Sequence, residues 1–315
     1  MRLESIRSTN MSSIKQHYYF IVNPYASNGL KVSKNLNQLL EKTNLDYQLK
    51  EITEQVNIKD IVTELQPHLQ ENDILVSVGG DGTISEVVQA ANELGIPNPI
   101  GVIPTGSGND FARFHGIPTN LKDAFLHLLT INKYSEQDII LTMTNEQKKK
   151  YVVNSIGAGI DGRVIFNLQE NRGSKKIGKL AYLIDALKSL FSQSYFDAEI
   201  IINGRSLKIY QTIILLFMNH GSFGGGINIH PNTLSSDGYI DIIFSHHLSI
   251  FDQMTIIPKL LINQSHIKHP KIYTLKAREL TVNIHTNEYW QADGESLSNT
   301  IQSYHMQTKK QKYWI

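Results

Sequence analysis

The sequence predicts two domains, an N-terminal α/β domain with a mainly parallel sheet and a C-terminal domain that is mainly antiparallel β. Three observations predict it. The chain has 315 residues, more than one typical core holds. From Tyr18 to about Thr142, apolar strand-like runs alternate with amphipathic helical ones, the rhythm of a parallel sheet covered on both faces. After about Met143 the rhythm changes to strand runs joined by turns, with one or two helices among them.

In order, YYFIVNP reads as a buried strand ending in a turn, and KNLNQLLEKT as a helix with Leu36, Leu39 and Leu40 on one face. DYQLKEIT is a second strand and IKDIVTELQPHL a second helix. DILVSVGG, PIGVIPTG and QDIILTM continue the strands, with ISEVVQAANEL and KDAFLHLLTI as helices between them. Ligands on such sheets bind at the carboxyl ends of strands, where the glycine loops of this chain fall. In the second half, DAEIIINGRSLKIYQTIILLFM reads as two strands around a tight Asn203-Gly204 hairpin. GYIDIIFSH and KARELTVNIHTNEYWQADGES supply further strands.

Composition narrows the class. A net charge of +1 offers no broad nucleic-acid surface. The absence of cysteine excludes disulfides, thiolate metal sites and a cysteine nucleophile, and it fits a reducing cytoplasm. No apolar stretch approaches the roughly 20 residues needed to span a bilayer. Residues 1–16 have no apolar signal core and read as a disordered leader, within which Met11 is an alternative start.

The chemistry concentrates in two loops. Gly79-Gly80-Asp81-Gly82-Thr83 joins a strand to a helix, the arrangement that holds phosphate on free N–H groups and a helix N-terminus. Thr83 with Glu86 fits a capping box opening that helix. Asp81 is out of place beside a negative ligand, since two anionic oxygens about 4 Å apart repel by roughly 4 kcal/mol at an effective dielectric near 20. A divalent cation between them removes the conflict, and magnesium binds phosphate with one or two carboxylates. The second loop, Ile103 to Phe114, follows the next strand and so lies beside the first. Thr105, Ser107 and Asn109 offer neutral contacts around Gly106 and Gly108, Asp110 adds a second acid, and Arg113 a cation able to face phosphate. The plainer alternative makes Asp110 a helix cap.

These motifs resemble the diacylglycerol kinase catalytic-domain superfamily, which includes bacterial soluble lipid kinases and the sphingosine and ceramide kinases. The resemblance runs from about Tyr18 to Glu295. It rests on Asn23-Pro24 with Ser27 and Gly29, on the two glycine loops, on Gly224-Gly225-Gly226, on Pro231-Asn232 through Asp237-Gly238, and on Asp293-Gly294-Glu295. Gly79–Thr83 alone is weak, because NAD kinases and phosphofructokinases carry similar loops. The motif NPYASNG departs from the pattern, which often has glycine directly after the serine.

The resemblance implies a first domain like that of NAD kinases and phosphofructokinases at 17–142, a lipid-substrate domain at 143–304, and a tail at 305–315 that rejoins the first. It implies ATP in the interdomain cleft, contacted by Asn23, Pro24, Tyr25, Ala26 and Ser27 and by Gly79, Gly80, Asp81, Gly82 and Thr83, with Glu86 close by. Thr53, Thr105, Gly106, Ser107 and Asn109 are further ATP candidates. Asp81, Asp110 and Asp138 match acids around the catalytic Mg2+. Leu234, Asp237 and Tyr239 match a loop that holds a structural Mg2+. Glu295 matches the base that takes the substrate proton, with Asp81 the rival. The implied activity is ATP-dependent phosphorylation of a lipid alcohol, with diacylglycerol the favoured acceptor. The implied location is cytoplasmic, peripherally associated with the membrane, without nucleic acid, and with a homodimer left open. An NAD kinase and a non-catalytic nucleotide- or lipid-binding protein on the same fold are the alternatives.

Three patterns are discounted. Gly157-Ala158-Gly159-Ile160-Asp161-Gly162 fits a dinucleotide fingerprint, but no second strand ending in an acid follows. Gly173 to Leu180 nearly matches a P-loop but lacks its hydroxyl residue. KKIGKLAYLIDALKSLF is a basic amphipathic helix that suits either an anionic membrane or its own domain's core.

Overall fold

A computed structural model describes residues 16–26, 29–170, 194–223, 225–297, 299–300 and 302–315. Ser27, Gly224, the near P-loop at 173–180 and the basic helix beginning at Lys175 lie outside the described residues. The described chain packs as two units, one comprising residues up to Glu136 with Lys312–Ile315, the other Gln137–Gln311.

In the first unit, β1 (His17–Val22), β2 (Asp46–Glu51), β3 (Ile74–Gly79) and β4 (Ile100–Pro104) form a parallel array in the order β2-β1-β3-β4. β3 and β4 are buried along their whole length, as strands covered on both faces must be. The covering helices are α1 (Gly29–Leu40), α2 (Ile58–Leu65), α3 (Asp81–Glu93), the short α4 (Asp110–Phe114) and α5 (Leu121–Thr130). α2 opens with a capping box of Asn57 and Asp60. A short 3-10 turn with Pro67 follows its last residue. Leu36 and Leu40 of α1 join Phe20, Val76, Ile103, Phe125 and Leu128 in one core.

The last residues of the chain belong to this core. Tyr313 and Trp314 lie parallel to Ile100 and Gly101 of β4. Trp314 is buried and donates its indole N–H to Leu128 O at 3.2 Å. Tyr313 packs 4.9 Å from the ring of Phe111.

In the second unit, one antiparallel sheet runs β14-β13-β10-β7-β16-β17. Its strands are β7 (Ser155–Gly159), β10 (Ile214–Met218), β13 (Ile240–Ser245), β14 (Ile272–Ala277), β16 (Trp290–Ala292) and β17 (Glu295–Leu297). The other layer pairs β18 (Ser303–Trp314), β15 (Glu279–Ile284), β8 (Phe196–Ile202) and β9 (Arg205–Thr212), with β5 (Ser135–Thr144) and β6 (Lys149–Val152) beside β18. β11 (Ser222–Phe223) and β12 (Ile227–Asn228) make a separate small hairpin. Side chains of both layers, among them Ile156, Phe196, Phe217, Ile242, Trp290 and Met306, share one core. Two helices accompany the sheets among the described residues, α6 (Ile160–Glu170) and α7 (Ile250–Ile262).

Asn203 and Gly204 carry φ of 51° and 74°, the two left-handed residues of a tight hairpin turn between β8 and β9. The run from Asp197 to Met218 holds three strands rather than the two expected, because the chain passes from one layer to the other after Thr212. Asp138 lies inside β5 rather than at its start.

The tail's burial sets a testable value. Trp314→Ala is expected to destabilise the first unit by about 3–5 kcal/mol, the cost of truncating a large core side chain, measured by urea unfolding at equilibrium.

Candidate active site

The two glycine loops meet because their strands are neighbours. β3 and β4 run in parallel register with Gly79 opposite Pro104, and Thr105 N donates to Gly79 O at 2.7 Å. Beyond this point the backbones touch. A Cβ on Gly106 would lie 2.6 Å from Gly80 Cα, so the approach tolerates no side chain there. Asn109 shapes the second loop from a left-handed conformation, φ 55°. Its Oδ1 accepts from Gly106 N at 3.0 Å and its Nδ2 donates to Gly106 O at 2.9 Å.

α3 begins at Asp81, one residue after a Gly80 N-cap that has no side-chain cap. The expected capping box is therefore absent. Thr83 Oγ1 instead accepts from Asn23 Nδ2 at 3.0 Å, which ties the loop after β1 to the loop after β3. The Asn23 Oδ1 accepts from Tyr25 N at 3.0 Å, so one side chain serves both loops. Tyr25 itself is 65% exposed. Glu86 and Gly82 face solvent, and Ala26 is half-buried. Thr53 is exposed and spends its hydroxyl on its own turn, accepting from Val56 N at 3.1 Å and Gln55 N at 3.3 Å.

Asp81 occupies the first turn of α3, where the free N–H groups of the helix favour negative charge. Its Oδ1 also accepts from Phe111 N at 3.0 Å and so braces the two glycine loops. Asp110 opens α4 after an Asn109 N-cap and is buried. Burial raises the Asp81 carboxyl above its ordinary range, the N–H of Phe111 opposes this, and the charge of Asp110 adds to the rise. Arg113 turns its Nε back to Gly108 O at 3.0 Å and is otherwise exposed. Thr105 Oγ1 is buried with no hydrogen-bond partner among the described residues. Two hard carboxylates close enough to repel each other, at the ends of neighbouring strands, fit a divalent cation with a polyphosphate.

The other acids are placed differently. Asp138, in the second unit, accepts from Gly238 N through Oδ2 at 2.7 Å, and its own N–H donates to Ser235 O at 2.5 Å. Lys310 Nζ stands 2.8 Å from its Oδ1, close enough for an ion pair though not aligned for a hydrogen bond. The same lysine donates to Ser236 O at 2.9 Å. Gly238 takes the left-handed position of this turn, φ 78°, and the preceding Asp237 folds its Oδ1 forward to accept from Tyr239 N at 3.0 Å. The Asp237 Oδ2 is paired with Lys276 at 2.7 Å. Lys276 also lies 3.5 Å from the buried Asp241. A lysine ammonium thus pairs with the carboxylate to which the resemblance assigns a structural Mg2+.

Glu295 opens β17, half-exposed, with its Oε2 2.7 Å from Lys150 Nζ. Its turn is held by Asp293, which the sequence reading named only within the Asp-Gly-Glu motif, and by Gln291, which it did not single out. Asp293, at φ 50°, accepts from Val153 N at 2.8 Å, Asn154 N at 2.7 Å and Ser155 N at 3.2 Å. Gln291, buried in β16, accepts from Gly294 N at 2.9 Å and donates to Asp161 Oδ2 at 2.5 Å. The Asp-Gly pair signalled a turn, but nothing local signalled a three-donor anchor. The fingerprint glycines 159 and 162 serve packing: a Cβ on Gly162 would lie 2.0 Å from Tyr289 O, and one on Gly159 2.3 Å from Ile213 O.

A glycine-loop site on a parallel sheet, joined to a β-rich second unit, defines a phosphotransferase with an alcohol acceptor, and comparison with known proteins agrees. Residues 17–140 match the family model for the diacylglycerol kinase catalytic domain, and residues 154–308 match the YegS C-terminal NAD kinase beta sandwich-like domain. A diacylglycerol kinase of Bacillus subtilis is 30% identical over 233 residues, covering 72% of each chain. One of Staphylococcus saprophyticus is 28% identical over 241 residues, covering 76% of this chain and 75% of the relative. A Bacillus anthracis crystal structure superposes with a TM-score of 0.75 at 23% identity, covering 96% of this chain and 95% of that one. Another, of a diacylglycerol kinase from the same organism, gives 0.65 at 19% identity over 95% of both chains. The chain belongs to the diacylglycerol kinase family and is a lipid kinase. The NAD kinase and non-catalytic alternatives are thereby set aside.

Two measurements test the second unit. Without nucleotide, Lys276→Met leaves Asp237 and Asp241 unneutralised and is expected to make Tm rise more with added Mg2+ than it does in the parent. Burial pushes the Asp161 carboxyl up to about 6 from an ordinary 3.8, against the hydrogen bond from Gln291. Between those values the folded chain holds a proton that the unfolded chain has released, so this group's contribution to stability falls as pH rises through the window. Asp161→Asn is expected to raise Tm relative to the parent above pH about 6, with the gap closing toward pH about 4, by scanning calorimetry across pH.

Proposed function

We propose that this lipid kinase transfers the γ-phosphate of ATP to the hydroxyl of diacylglycerol, yielding phosphatidic acid and ADP, in the cytoplasm at a membrane surface. The observation that carries the reading is Asp81 beside Asp110 on two touching glycine loops, an arrangement of like charges that an Mg2+–triphosphate neutralises. When bound, the metal supplies charge neutralisation of the phosphate oxygens.

The chain's own residues divide the remaining work. The backbone N–H groups at the start of α3, with Asn23, Thr105, Ser107 and Asn109, orient the nucleotide, and Asp81 and Asp110 hold its metal. Asp138 keeps the 235–238 turn in place through Gly238 N and Ser235 O, one step from the metal role its motif implies. Glu295 orients the acceptor hydroxyl and takes its proton as the new O–P bond forms and the bond to the ADP oxygen breaks. Lys150 fixes the position of that carboxylate until substrate arrives, through a half-exposed pair worth about 0–1 kcal/mol.

Asp81→Asn is the informative variant, because an asparagine Oδ1 still accepts from Phe111 N while the charge is gone. It is expected to stay folded and to lose about a thousandfold or more in transfer of labelled phosphate from ATP to diacylglycerol in mixed micelles, several kcal/mol of transition-state stabilisation. Glu295→Gln is expected to lose about 10²–10⁴-fold, the range for general base catalysis. Full activity in Glu295→Gln moves the base assignment to Asp81, and full activity in Asp81→Asn overturns the metal site.

A further inference from the structure

Asp161 is a buried acid that the chemistry above does not use. It sits in the first turn of α6, directly after β7, inside the glycine-rich stretch Gly157 to Gly162. Keeping an ionisable group away from water is costly unless a partner requires it. The fold makes room for this one. Gly157 lies opposite Gln291 in the register of β7 with β16, and a Cβ on Gly157 would stand 2.5 Å from Asp161 Oδ2. The bare backbone there lets the carboxylate reach Gln291, whose Nε2 donates to it at 2.5 Å.

Gln291 uses both ends of its amide. While Nε2 donates to Asp161, Oε1 accepts from Gly294 N at 2.9 Å. An amide has nearly the same shape when turned end for end, so packing alone does not choose between the two orientations. The reversed one would aim Oε1 at a carboxylate oxygen and an NH2 at a peptide N–H. Asp161, which when ionised only accepts, therefore selects the orientation in which Gln291 holds Gly294.

Gly294 stands directly before Glu295. It is the second of two left-handed residues between β16 and β17, with Asp293 at φ 50° and Gly294 at φ 82°, and the pairing of Ala292 with Glu295 closes the turn. Lys150 holds the Glu295 carboxylate through a half-exposed pair, and Asp293 ties the turn to the backbone at 153–155. Gln291 restrains the turn from a buried position, backed by a buried acid.

We propose that Asp161 and Gln291 are positioning residues for phosphoryl transfer. Asp161 fixes the amide of Gln291, and Gln291 fixes the backbone from which Glu295 meets the acceptor hydroxyl. The proposal rests on the reading of Glu295 as the base. A base acts only within hydrogen-bond reach of the proton it takes, and a misplacement of about 1 Å costs about 10²-fold.

The test compares the parent, Gln291→Met, Glu295→Gln and their double variant in transfer of labelled phosphate from ATP to diacylglycerol in mixed micelles. Methionine keeps the length of glutamine without its amide. Gln291→Met is expected to lower kcat about 10–100-fold while KM for ATP stays within about twofold of the parent. Added to Glu295→Gln it is expected to cost nothing further, because the side chain it positions no longer acts as a base. Gln291→Glu with Asp161→Asn exchanges acid and amide, keeps a hydrogen bond between the two side chains and an acceptor for Gly294 N, and is expected to hold kcat within about threefold of the parent. Should Gln291→Met not fold, Asp161→Leu replaces it, leaving Gln291 without its acceptor, with an expected loss of about tenfold in kcat on the same terms. Parent-like kcat in the variant used, or the same factor lost with and without Glu295→Gln, overturns the proposal, as does an exchanged pair that folds but is inactive. Full activity in Glu295→Gln removes the base assignment and the proposal with it, an outcome distinct from failure of the positioning alone.

Discussion

The close approach of Gly80 to Gly106 is the constraint on which the candidate site depends. Parallel register brings the ends of β3 and β4 side by side, but register alone would leave two separate loops. The missing side chains let the backbones touch. Contact then places Phe111 N within reach of Asp81, and the carboxylate that results is shared between the helix it opens and the loop it braces. Asn23 adds the third loop through Thr83. A few short polar contacts thus fix three strand ends relative to one another.

Three acids of the second unit are treated in the opposite way. Asp138 and Asp237 each meet a lysine, and Asp293 meets three backbone N–H groups. Their charges are satisfied within the fold and they hold turns. Asp81 is met by backbone N–H groups and by a like charge at Asp110. The contrast separates carboxylates that are satisfied within their own turns from one that shares its site with a like charge.

Legibility in the sequence followed the range of the interaction. The alternation of strands and helices, the Asn203-Gly204 hairpin and the adjacency of the two glycine loops depend on local periodicity and turn chemistry, and the structure has them. The capping box assigned to Thr83 failed because the helix begins two residues earlier, at Asp81, and the Thr83 hydroxyl inside it is taken by Asn23, 60 positions away. The third strand between Asp197 and Met218 was hidden because a change of sheet needs only a one-residue break after Thr212. The lysine partners of Asp138 and Asp237 come from β18 and β14, and no local pattern announces which lysine of a strand will reach which acid. The triple anchoring by Asp293 had the same cause, since its donors lie about 140 residues earlier.

An acid at the start of a helix has an ordinary explanation, and magnitudes decide whether it suffices for Asp81. The N-terminal position favours a carboxylate by about 0.3–1 kcal/mol, and a charged hydrogen bond from Phe111 N contributes further. If helix stability were the whole account, the charged form would be favoured and the carboxyl would sit below its ordinary range. It sits above it, because burial and Asp110 outweigh both gains. At neutral pH the fold therefore bears a net cost for keeping Asp81 ionised. An asparagine or serine would open the helix without that cost. A divalent cation carrying a nucleotide, as proposed for this site, would compensate that charge.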